Sequence, residues 1–415
     1  MRISDRNVQQ SFLNNLTSLR SKMGEVQNKI ITQKKVNKPS DSPLGSGKII
    51  NFNERLTSIS SFQKNIENGL AFTNYSVSAL EGIHEQTHSM LVDVVSLKNP
   101  TNSTSTQDYV QKLTNYLDTI VNLANSEFQG QYLFAGTDYS VKPYEISADG
   151  QSVVINSSNL GGEKSIKTSN NTLQKINITG EELFNSAIKY TGNFNSADAV
   201  GTAKTFSQKI FDGDGNEFTI EMEFTKSAAN TYTLNTGVKD STDNVVYSGT
   251  NSLGFNPATG KITGLDGTTA QKLQVSVPGK NLDFTFDVSG LMESNKATTV
   301  NSSMNLNGNI FNTIISIREN LKNGNMPNDN QLDLLNGFSQ HFLNKVSELG
   351  NIQNNLTSAS ELLSREETEV TSLLSQENDV DMAEYAIELQ NYQNALEVSY
   401  KISSIMLPKS LLDYI

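Results

Sequence analysis

The sequence predicts an α+β multidomain protein in which mainly α-helical ends flank an inserted all-β central region. Apolar residues recur every three or four positions over long stretches near both chain ends, as in amphipathic helices and coiled coils. Glycine marks the middle, since 16 of the 27 glycines lie between Gly150 and Gly290. Long apolar stripes at both ends of one chain indicate that the N- and C-terminal helices run antiparallel and form a coiled-coil rod.

The N-terminal part contains three predicted helices. The first ends at Pro39 and Pro43, and the serines and aspartate between these prolines suit the cap of a following helix. The second carries an apolar seam from Phe52 to Val94, about six heptads, which is long for a globular helix and favours a coiled coil. The third follows over 110–124 with one apolar face.

The C-terminal part repeats this pattern. A short helix is predicted from Ile310 to Leu321, a longer seam from Phe342 to Leu373, and a last helix over 395–405. For any single stripe, an ordinary helix packed on its own core remains the alternative explanation. The stripes at both ends together favour the coiled-coil interpretation.

The middle of the chain is predicted to be β-structure. Segments 219–224 and 282–288 alternate apolar and polar residues with period two. Turn signals separate such segments at 212–215 and 256–260. One or two small β domains inserted between helices are the simplest arrangement.

These patterns divide the chain into three predicted domains. Residues 1–45 and 375–415 form a terminal coiled-coil assembly domain, residues 46–142 and 306–374 a helical rod, and residues 143–305 the inserted β domain. The predicted assembly interface of the N-terminal helix comprises Val8, Phe12, Leu16, Leu19, Met23, Val26 and Ile30. That of the C-terminal helix comprises Ala395, Val398, Ile402, Ile405, Leu411 and Leu412. The predicted rod core comprises Phe52, Leu56, Ile59, Ile66, Leu349, Ile352, Leu356 and Leu363.

Composition limits the classes of partner and site. The 415 residues carry a net charge of −12, which disfavours nucleic acid and anionic membranes as partners. The absence of cysteine excludes disulfides and thiolate metal sites. No apolar run reaches the roughly 18 residues of a membrane span. The N-terminus lacks the apolar core of a cleaved secretory signal, so export by another route or a soluble protein is expected.

Two motifs suggest metal sites. H-E-Q-T-H at 84–88 matches the zinc-peptidase pattern H-E-x-x-H, which needs two imidazoles one turn apart, a general base and a third ligand. However, His84 continues the apolar seam, and His341 is far away in sequence. Asp212, Asp214, Asn216 and Glu223 match EF-hand positions, but Glu217 stands where that loop needs glycine. A hairpin turn is therefore favoured, and no catalytic residue, metal or cofactor is predicted.

Three segments give the chain a family resemblance. N-K-P-S-D-S-P at 37–43 resembles the N-K-P-S-D-D-P that follows the first helix in flagellin-like proteins. L-A-N-S-E-F-Q-G-Q-Y-L-F-A-G-T at 123–137 resembles their L-A-N…G-x-Y-L-F-G-G-T, and L-S-Q-E-N-D-V-D-M-A-E at 374–384 resembles L-S-x-I-E-D-V-D-M-A-E. Over about 1–145 and 305–415 the chain thus resembles the hook-associated proteins of the flagellin superfamily. Its L-L-D-Y-I ending favours a hook–filament junction protein over flagellin.

The resemblance implies a structural component of the bacterial flagellum and not an enzyme. The implied partners are other copies of the chain in a ring, another hook-associated protein on the hook side, flagellin on the filament side and an export chaperone. The implied location is extracellular, after export without a cleaved signal peptide. Segments 210–220 and 284–291 resemble phrases of the hook protein, which would make the inserted domain hook-protein-like in part.

Physical chemistry gives the assembly a mechanism. An isolated helix of about 25 residues is marginal in water, while each buried Leu, Ile or Phe contributes about 1.5–3 kcal/mol. We therefore expect residues 1 to about 40 and about 380–415 to be disordered in the monomer and to fold on assembly. A flagellin-type filament subunit, a zinc peptidase and an adhesin acting through the β domain remain the alternative functions.

Overall fold

The computed structural model describes residues 2–98, 106–157 and 160–406. Within these residues the helices are α1 (Arg2–Thr32), α2 (Pro43–Leu97), α3 (Thr106–Ala124), α4 (Gly180–Phe184), α5 (Ile310–Lys322), α6 (Asp329–Asn378) and α7 (Met382–Met406). The strands are β1 (Glu127–Phe128), β2 (Gln131–Tyr132), β3 (Tyr144–Ile146), β4 (Val153–Ile155), β5 (Ser165–Lys167), β6 (Leu173–Lys175), β7 (Ser186–Asn195), β8 (Ala203–Phe211), β9 (Glu217–Ala228), β10 (Thr231–Asp240), β11 (Val245–Phe255), β12 (Ile262–Leu265), β13 (Lys272–Ser276), β14 (Asp283–Ser294) and β15 (Asn301–Met304). Long helices near both ends thus flank a central β region, and the fold class predicted from the sequence is confirmed.

Local side-chain chemistry sets where the long helices begin. α2 starts at Pro43, and the Ser42 hydroxyl accepts from the backbone N–H of Gly45 at 3.1 Å, so the predicted cap is present. Before α6, Asn328 and Gln331 exchange backbone-to-side-chain hydrogen bonds in the manner of a capping box. α6 therefore begins before the first seam residue expected from the sequence, Phe342.

The chain folds as two compact units. Residues 1–64 with 358–415 form the first, here called the terminal unit, and residues 65–357 form the second, here called the central unit. In the terminal unit α1 packs against α7. In the same unit the start of α2 lies antiparallel to the end of α6, since Lys48 pairs with Glu377 at 3.0 Å and Arg55 with Glu366 at 2.5 Å.

The helical base of the central unit is centred on buried aromatic rings. Tyr144 of β3, Phe184 of α4, Phe311 of α5 and Phe342 of α6 form one cluster with centroid separations of 5.1–5.8 Å. All four are buried, and burial together with edge-on and stacked ring contacts stabilises such a cluster. The cluster ties a strand that follows α3 to the helices of the C-terminal half.

Two sheets form the larger part of the β region. One is antiparallel with the strand order β12-β11-β10-β9-β8, and the other has the order β13-β14-β7-β15 with β14 parallel to β7. Alternate residues of β9, from Phe218 to Phe224, are buried, as the period-two pattern predicts. Residues from both sheets share one hydrophobic core, so the sheets pack face to face as a sandwich. Its buried members all lie between Ile188 and Val300.

One ion pair is buried inside the sandwich. Lys226 Nζ lies 3.3 Å from Glu293 Oε1, and their side chains are 4% and 1% exposed. Lys226 Nζ also donates to the carbonyl of Ser196 at 2.6 Å, and the Tyr232 hydroxyl donates to Glu293 at 3.4 Å. Partners of this kind are what a buried pair of charges requires, since desolvating each charge is costly.

Candidate assembly interface

The two terminal helices of the terminal unit pack side by side and antiparallel. Both Nε and Nη2 of Arg20 donate to the hydroxyl of Tyr400, at 3.0 and 2.6 Å. Further along, Lys29 Nζ lies 5.5 Å from the ring centroid of Tyr385. Residue numbers rise along α1 while they fall along α7, so the pair has the direction that the sequence predicted.

The apolar seam predicted for α1 occupies its less exposed face. Val26 is buried at 5% exposure, and the other described members, Phe12, Leu16, Leu19, Met23 and Ile30, are half-buried. The side chain of Val8 lies outside the described residues. A seam that one neighbouring helix leaves half-exposed has apolar surface still available for a further partner.

The face of α7 that is most buried differs from the face expected from the sequence. Leu396 is buried at 6% exposure, and Tyr385, Leu389 and Tyr392 are half-buried with it at helical spacing. Sequence reasoning missed this stripe, although its spacing of four, three and four residues was the available signal. Two overlapping apolar stripes on one helix cannot be ranked from periodicity alone.

Of the three predicted C-terminal interface residues whose side chains the structure describes, two lie on the outer side of α7. Ala395 is half-buried, whereas Val398 and Ile402 are 54% and 43% exposed. The side chain of Ile405 lies outside the described residues, as do Leu411 and Leu412. The face of α7 that carries Val398 and Ile402, here called the outer face, therefore presents branched apolar side chains to solvent.

Exposed apolar residues are concentrated in the terminal unit. Among the described residues, 11 of the 23 exposed large apolar side chains belong to it. They lie on all four of its helices and include Leu13 on α1, Leu44 on α2, Leu362 on α6 and Ile387 on α7, with 54%, 82%, 65% and 62% exposure. Single exposed apolar residues are normal on any protein, but this density is typical of a surface that another molecule covers.

The loops next to the terminal helices are joined by a short backbone clasp. The N–H of Lys35 donates to the carbonyl of Asn378 at 2.6 Å, and the N–H of Val380 donates to that of Gln33 at 3.3 Å. Residues 34 and 379 form an antiparallel bridge between these bonds. The 374–384 segment, which carries part of the family resemblance, thus meets the backbone that directly precedes the 37–43 segment.

Side chains of the 37–43 and 374–384 segments order the backbone next to the clasp. The carboxylate of Asp41 accepts from the backbone N–H groups of Lys38 at 2.9 Å and Asn37 at 3.0 Å, and these bonds lower the pKa of Asp41 below its usual 3.8. The carboxylate of Asp381 accepts from the N–H of Ala383 at 2.9 Å and so caps α7. These hydrogen bonds hold the backbone shape of both segments where they adjoin α1, α2 and α7.

The predicted rod-core residues are divided between the two units. In the terminal unit Ile59 and Leu363 are buried, with Phe52 and Leu56 half-buried. In the central unit the buried members are Ile66, Leu349, Ile352 and Leu356. The α2 and α6 seams are therefore mainly interior surface of the chain itself.

The histidines considered as metal ligands contact other protein groups. His84 Nδ1 lies 3.3 Å from Ser339 Oγ, His88 is exposed, and their ring centroids are 6.2 Å apart. His341 instead donates from Nε2 to the carbonyl of Glu182 at 2.9 Å. In the described ranges no group of three or more His, Cys, Asp or Glu is placed to hold a metal ion.

Among the helices of the same ranges, none combines the length and apolarity that a membrane span requires.

Three family models match the chain. The bacterial flagellin N-terminal helical region matches residues 3–138, and the bacterial flagellin C-terminal helical region matches residues 333–415. The D2 domain of the flagellar basal body protein FlaE matches residues 177–372, which include the sandwich and overlap the C-terminal flagellin match over 333–372. No curated protein matches the chain by sequence.

Several solved structures are similar over most of their length. They include the hook-associated protein HAP-3 of Legionella pneumophila (18% identity, TM-score 0.47, 79% of this chain and 98% of that one) and the flagellar junction protein FlgL of the same organism (16%, 0.45, 80% and 99%). Another is FlgL of Xanthomonas campestris (17%, 0.35, 85% and 99%).

The helical ends and the central β region define a structural subunit of the bacterial flagellum. The chain carries flagellin-type helical regions at both ends, where the family resemblance had predicted them. It therefore functions in the flagellum, in assembly with other flagellar proteins.

Proposed function

We propose that the protein is a hook–filament junction protein of the FlgL kind, a subunit that connects hook to filament. The observation that carries this proposal is the combination of modules in one chain. Flagellin-type helical regions lie at both ends, and a domain of basal-body type lies between them. A subunit placed between hook and filament has to fit two kinds of neighbour, and this chain combines flagellin-type ends with a domain of basal-body type.

Assembly proceeds through the terminal helices in this proposal. The half-exposed seam of α1 and the outer face of α7 are covered by other copies of the chain, which form a ring. Another hook-associated protein adjoins the ring on the hook side and flagellin on the filament side. An export chaperone shields the same apolar surface before the chain leaves the cell without a cleaved signal peptide, and the ring lies outside the cell.

The predicted domains fit these roles. Residues 1–45 and 375–415 provide assembly, residues 46–142 and 306–374 provide the helical rod, and residues 143–305 provide an outward-facing β domain. The first of these domains is ordered by assembly, because most of its described apolar residues, Val26 and Leu396 excepted, are only partly covered within one chain.

Electron microscopy of flagella from a strain that lacks this gene tests the role. Hooks without filaments, with unpolymerised flagellin in the medium, are expected. Normal filaments on the deletion strain would contradict a junction role. Long filaments formed by the purified protein alone would instead indicate a flagellin-type subunit.

The proposed role is structural and not enzymatic. Metal analysis of the purified protein combined with a general peptide-digestion assay tests the H-E-Q-T-H stretch directly. Stoichiometric zinc together with peptide cleavage that is lost in Glu85→Gln would contradict the structural account.

A further inference from the structure

The loop between β8 and β9 in the central unit is closed upon itself by its first residue. This loop, residues 212–216, has the sequence D-G-D-G-N. The carboxylate of Asp212, which is 3% exposed, accepts from the backbone N–H of Asn216 at 2.8 Å and from its side-chain amide at 2.9 Å. The loop is thereby held in one shape, with its carbonyl groups available to other parts of the chain.

Three successive carbonyl groups of the loop accept hydrogen bonds from the start of α6. Gln331 Nε2 donates to the carbonyl of residue 213 at 2.9 Å, Asn328 Nδ2 to that of residue 214 at 2.7 Å, and Asn330 Nδ2 to that of residue 215 at 2.8 Å. All three donors are uncharged amides within one turn. The residues that cap α6 thus also hold the loop.

A second helix contacts the same loop. The carboxylate of Asp214 accepts from the hydroxyl of Ser316 and from Asn320 Nδ2, both on α5. The approach is close, because a Cβ atom at Gly213 would lie 2.7 Å from the carbonyl oxygen of Asn312. Glycine at 215 is required as well, since its φ is +76° and a Cβ atom there would lie 2.5 Å from Asn328 Oδ1.

Other contacts between the sandwich and the helical base are polar as well, since Lys272 of β13 pairs with Glu181 of α4 and Asn312 Nδ2 of α5 donates to the carboxylate of Asp283 at 3.4 Å. The buried core of the sandwich contains no residue of α5 or α6 among the described residues. Three clefts of about 180, 360 and 480 Å³ lie between the sandwich or its connections and the helical base. The hydrogen bonds that join the sandwich to α5 and α6 therefore lie outside the apolar core of the sandwich.

The chain passes between the base and the sandwich at two adjacent points. One is the connection from α4 to β7, and the other is the connection from β15 to α5. Asn305 ties them together, since its Oδ1 accepts from the N–H of Ala187 at 2.6 Å and its Nδ2 donates to the carbonyl of Asn185 at 2.9 Å. These paired crossings provide a pivot that adjoins the 212–216 loop, since the N–H of Phe211 donates to the carbonyl of Asn307 at 2.7 Å.

We propose that the sandwich is an articulated module and that the 212–216 loop is a polar lock that fixes its orientation on α5 and α6. Hydrogen bonds to water can replace the amide–carbonyl bonds at a small net cost in free energy. The lock can therefore open without exposing the core of the sandwich or the aromatic cluster of the helical base. The module then turns about the crossings at Asn305. This inference goes beyond the junction role and does not depend on it.

Spin-label distance measurements test the lock in the full chain. The sequence has no cysteine, so Ser248→Cys on β11 and Asn344→Cys on α6, both at exposed positions, provide two unique labels. The variant Asp214→Ala with Asn330→Ala removes the contacts of two exposed side chains. Gly215→Val forces the loop away from Asn328 by a different route.

The expected result is a narrow distance distribution in the parent chain that broadens and shifts in both variants, with near-ultraviolet circular dichroism unchanged. A matched control is Asp243→Ala with Asn244→Ala in the β10–β11 loop, which Asp240 closes in the same way and whose hydrogen bonds are internal. This control should leave the distribution narrow. An unchanged distribution in both lock variants, a broad one in the parent, or loss of the sandwich's own fold in the variants would overturn the proposal.

Discussion

Tyr400 accepts two hydrogen bonds from the guanidinium group of Arg20, across a separation of 380 residues in sequence. The guanidinium carbon also lies 5.5 Å from the centroid of the tyrosine ring. The contact fixes the register of α1 against α7 as well as their direction. Because both side chains are exposed, its value lies in specifying geometry more than in stability.

Chemical crosslinking tests this register. In the assembled protein, Arg20→Cys with Tyr400→Cys should be joined within one chain by a short bis-maleimide, because these positions face each other. Arg20→Cys with Val398→Cys is the matched control, since Val398 lies on the outer face of α7. Equal yields of the intrachain product from the two pairs would contradict the register.

Charge on the outer face of α7 should separate assembly from folding. Ile402→Asp is expected to leave the monomer's melting transition unchanged and to abolish assembly, because the residue is 43% exposed within one chain but covered in the ring. Gln393→Asp introduces the same charge at an exposed position on another face of α7 and should assemble normally. Light scattering and thermal melting measure both effects. Leu19→Asp is expected to abolish assembly as well.

Two neighbouring leucines of α6 make a matched test of the terminal unit's interior. Leu363 is 6% exposed, and Leu363→Ala should lower the free energy of unfolding by about 2–5 kcal/mol. Leu362 is 65% exposed, and Leu362→Ala should change it by no more than about 0.5 kcal/mol. Denaturant unfolding distinguishes them. Similar losses for both would mean that the α2–α6 seam has a different face.

His341 should make the stability of the central unit depend on pH. Burial lowers its pKa from 6.5 to about 4, although its bond to the Glu182 carbonyl opposes the shift. As the pH falls, His341 takes up a proton in the unfolded chain before it does so in the folded chain. Its contribution to the free energy of unfolding is therefore fully present above pH 6.5 and is lost as the pH drops toward 4. The loss amounts to about 3 kcal/mol.

Chemical denaturation between these two pH values, compared with His341→Gln, isolates this contribution. The glutamine retains a donor for the Glu182 carbonyl but carries no titrating group. His88→Gln, at an exposed position, is the control. Identical pH dependence of the parent and His341→Gln would contradict the assignment.

Periodic apolar patterns predicted the helices and the sandwich strands because each pattern matches one repeat of backbone geometry. The period-two segment around Ile220 is an interior face of the sandwich, and the proline-rich segment around Pro43 starts a helix. The patterns could not predict which face of each helix packs against a neighbouring helix. α7 has two apolar stripes, and only the fold shows that Leu396 is buried while Val398 is exposed.

Contacts between loops that are far apart in the chain could not be predicted from the sequence either. D-G-D-G-N at 212–216 indicated a turn, but this sequence does not indicate that the loop contacts Gln331, more than a hundred residues away. The same holds for the clasp between Lys35 and Asn378, whose bonds use backbone groups that every residue has. Interactions of this kind depend on topology and leave little compositional signal.

Amide hydrogen exchange on the free and the assembled protein tests the central claim most directly. Among the α1 side chains that the structure describes, those that are half-covered or buried within a single chain lie on one face, and an isolated helix of this size is marginal in water. We therefore expect fast exchange between Phe12 and Ile30 in the free protein and slow exchange once the protein is assembled. Strong protection of this segment in the free protein would contradict the account.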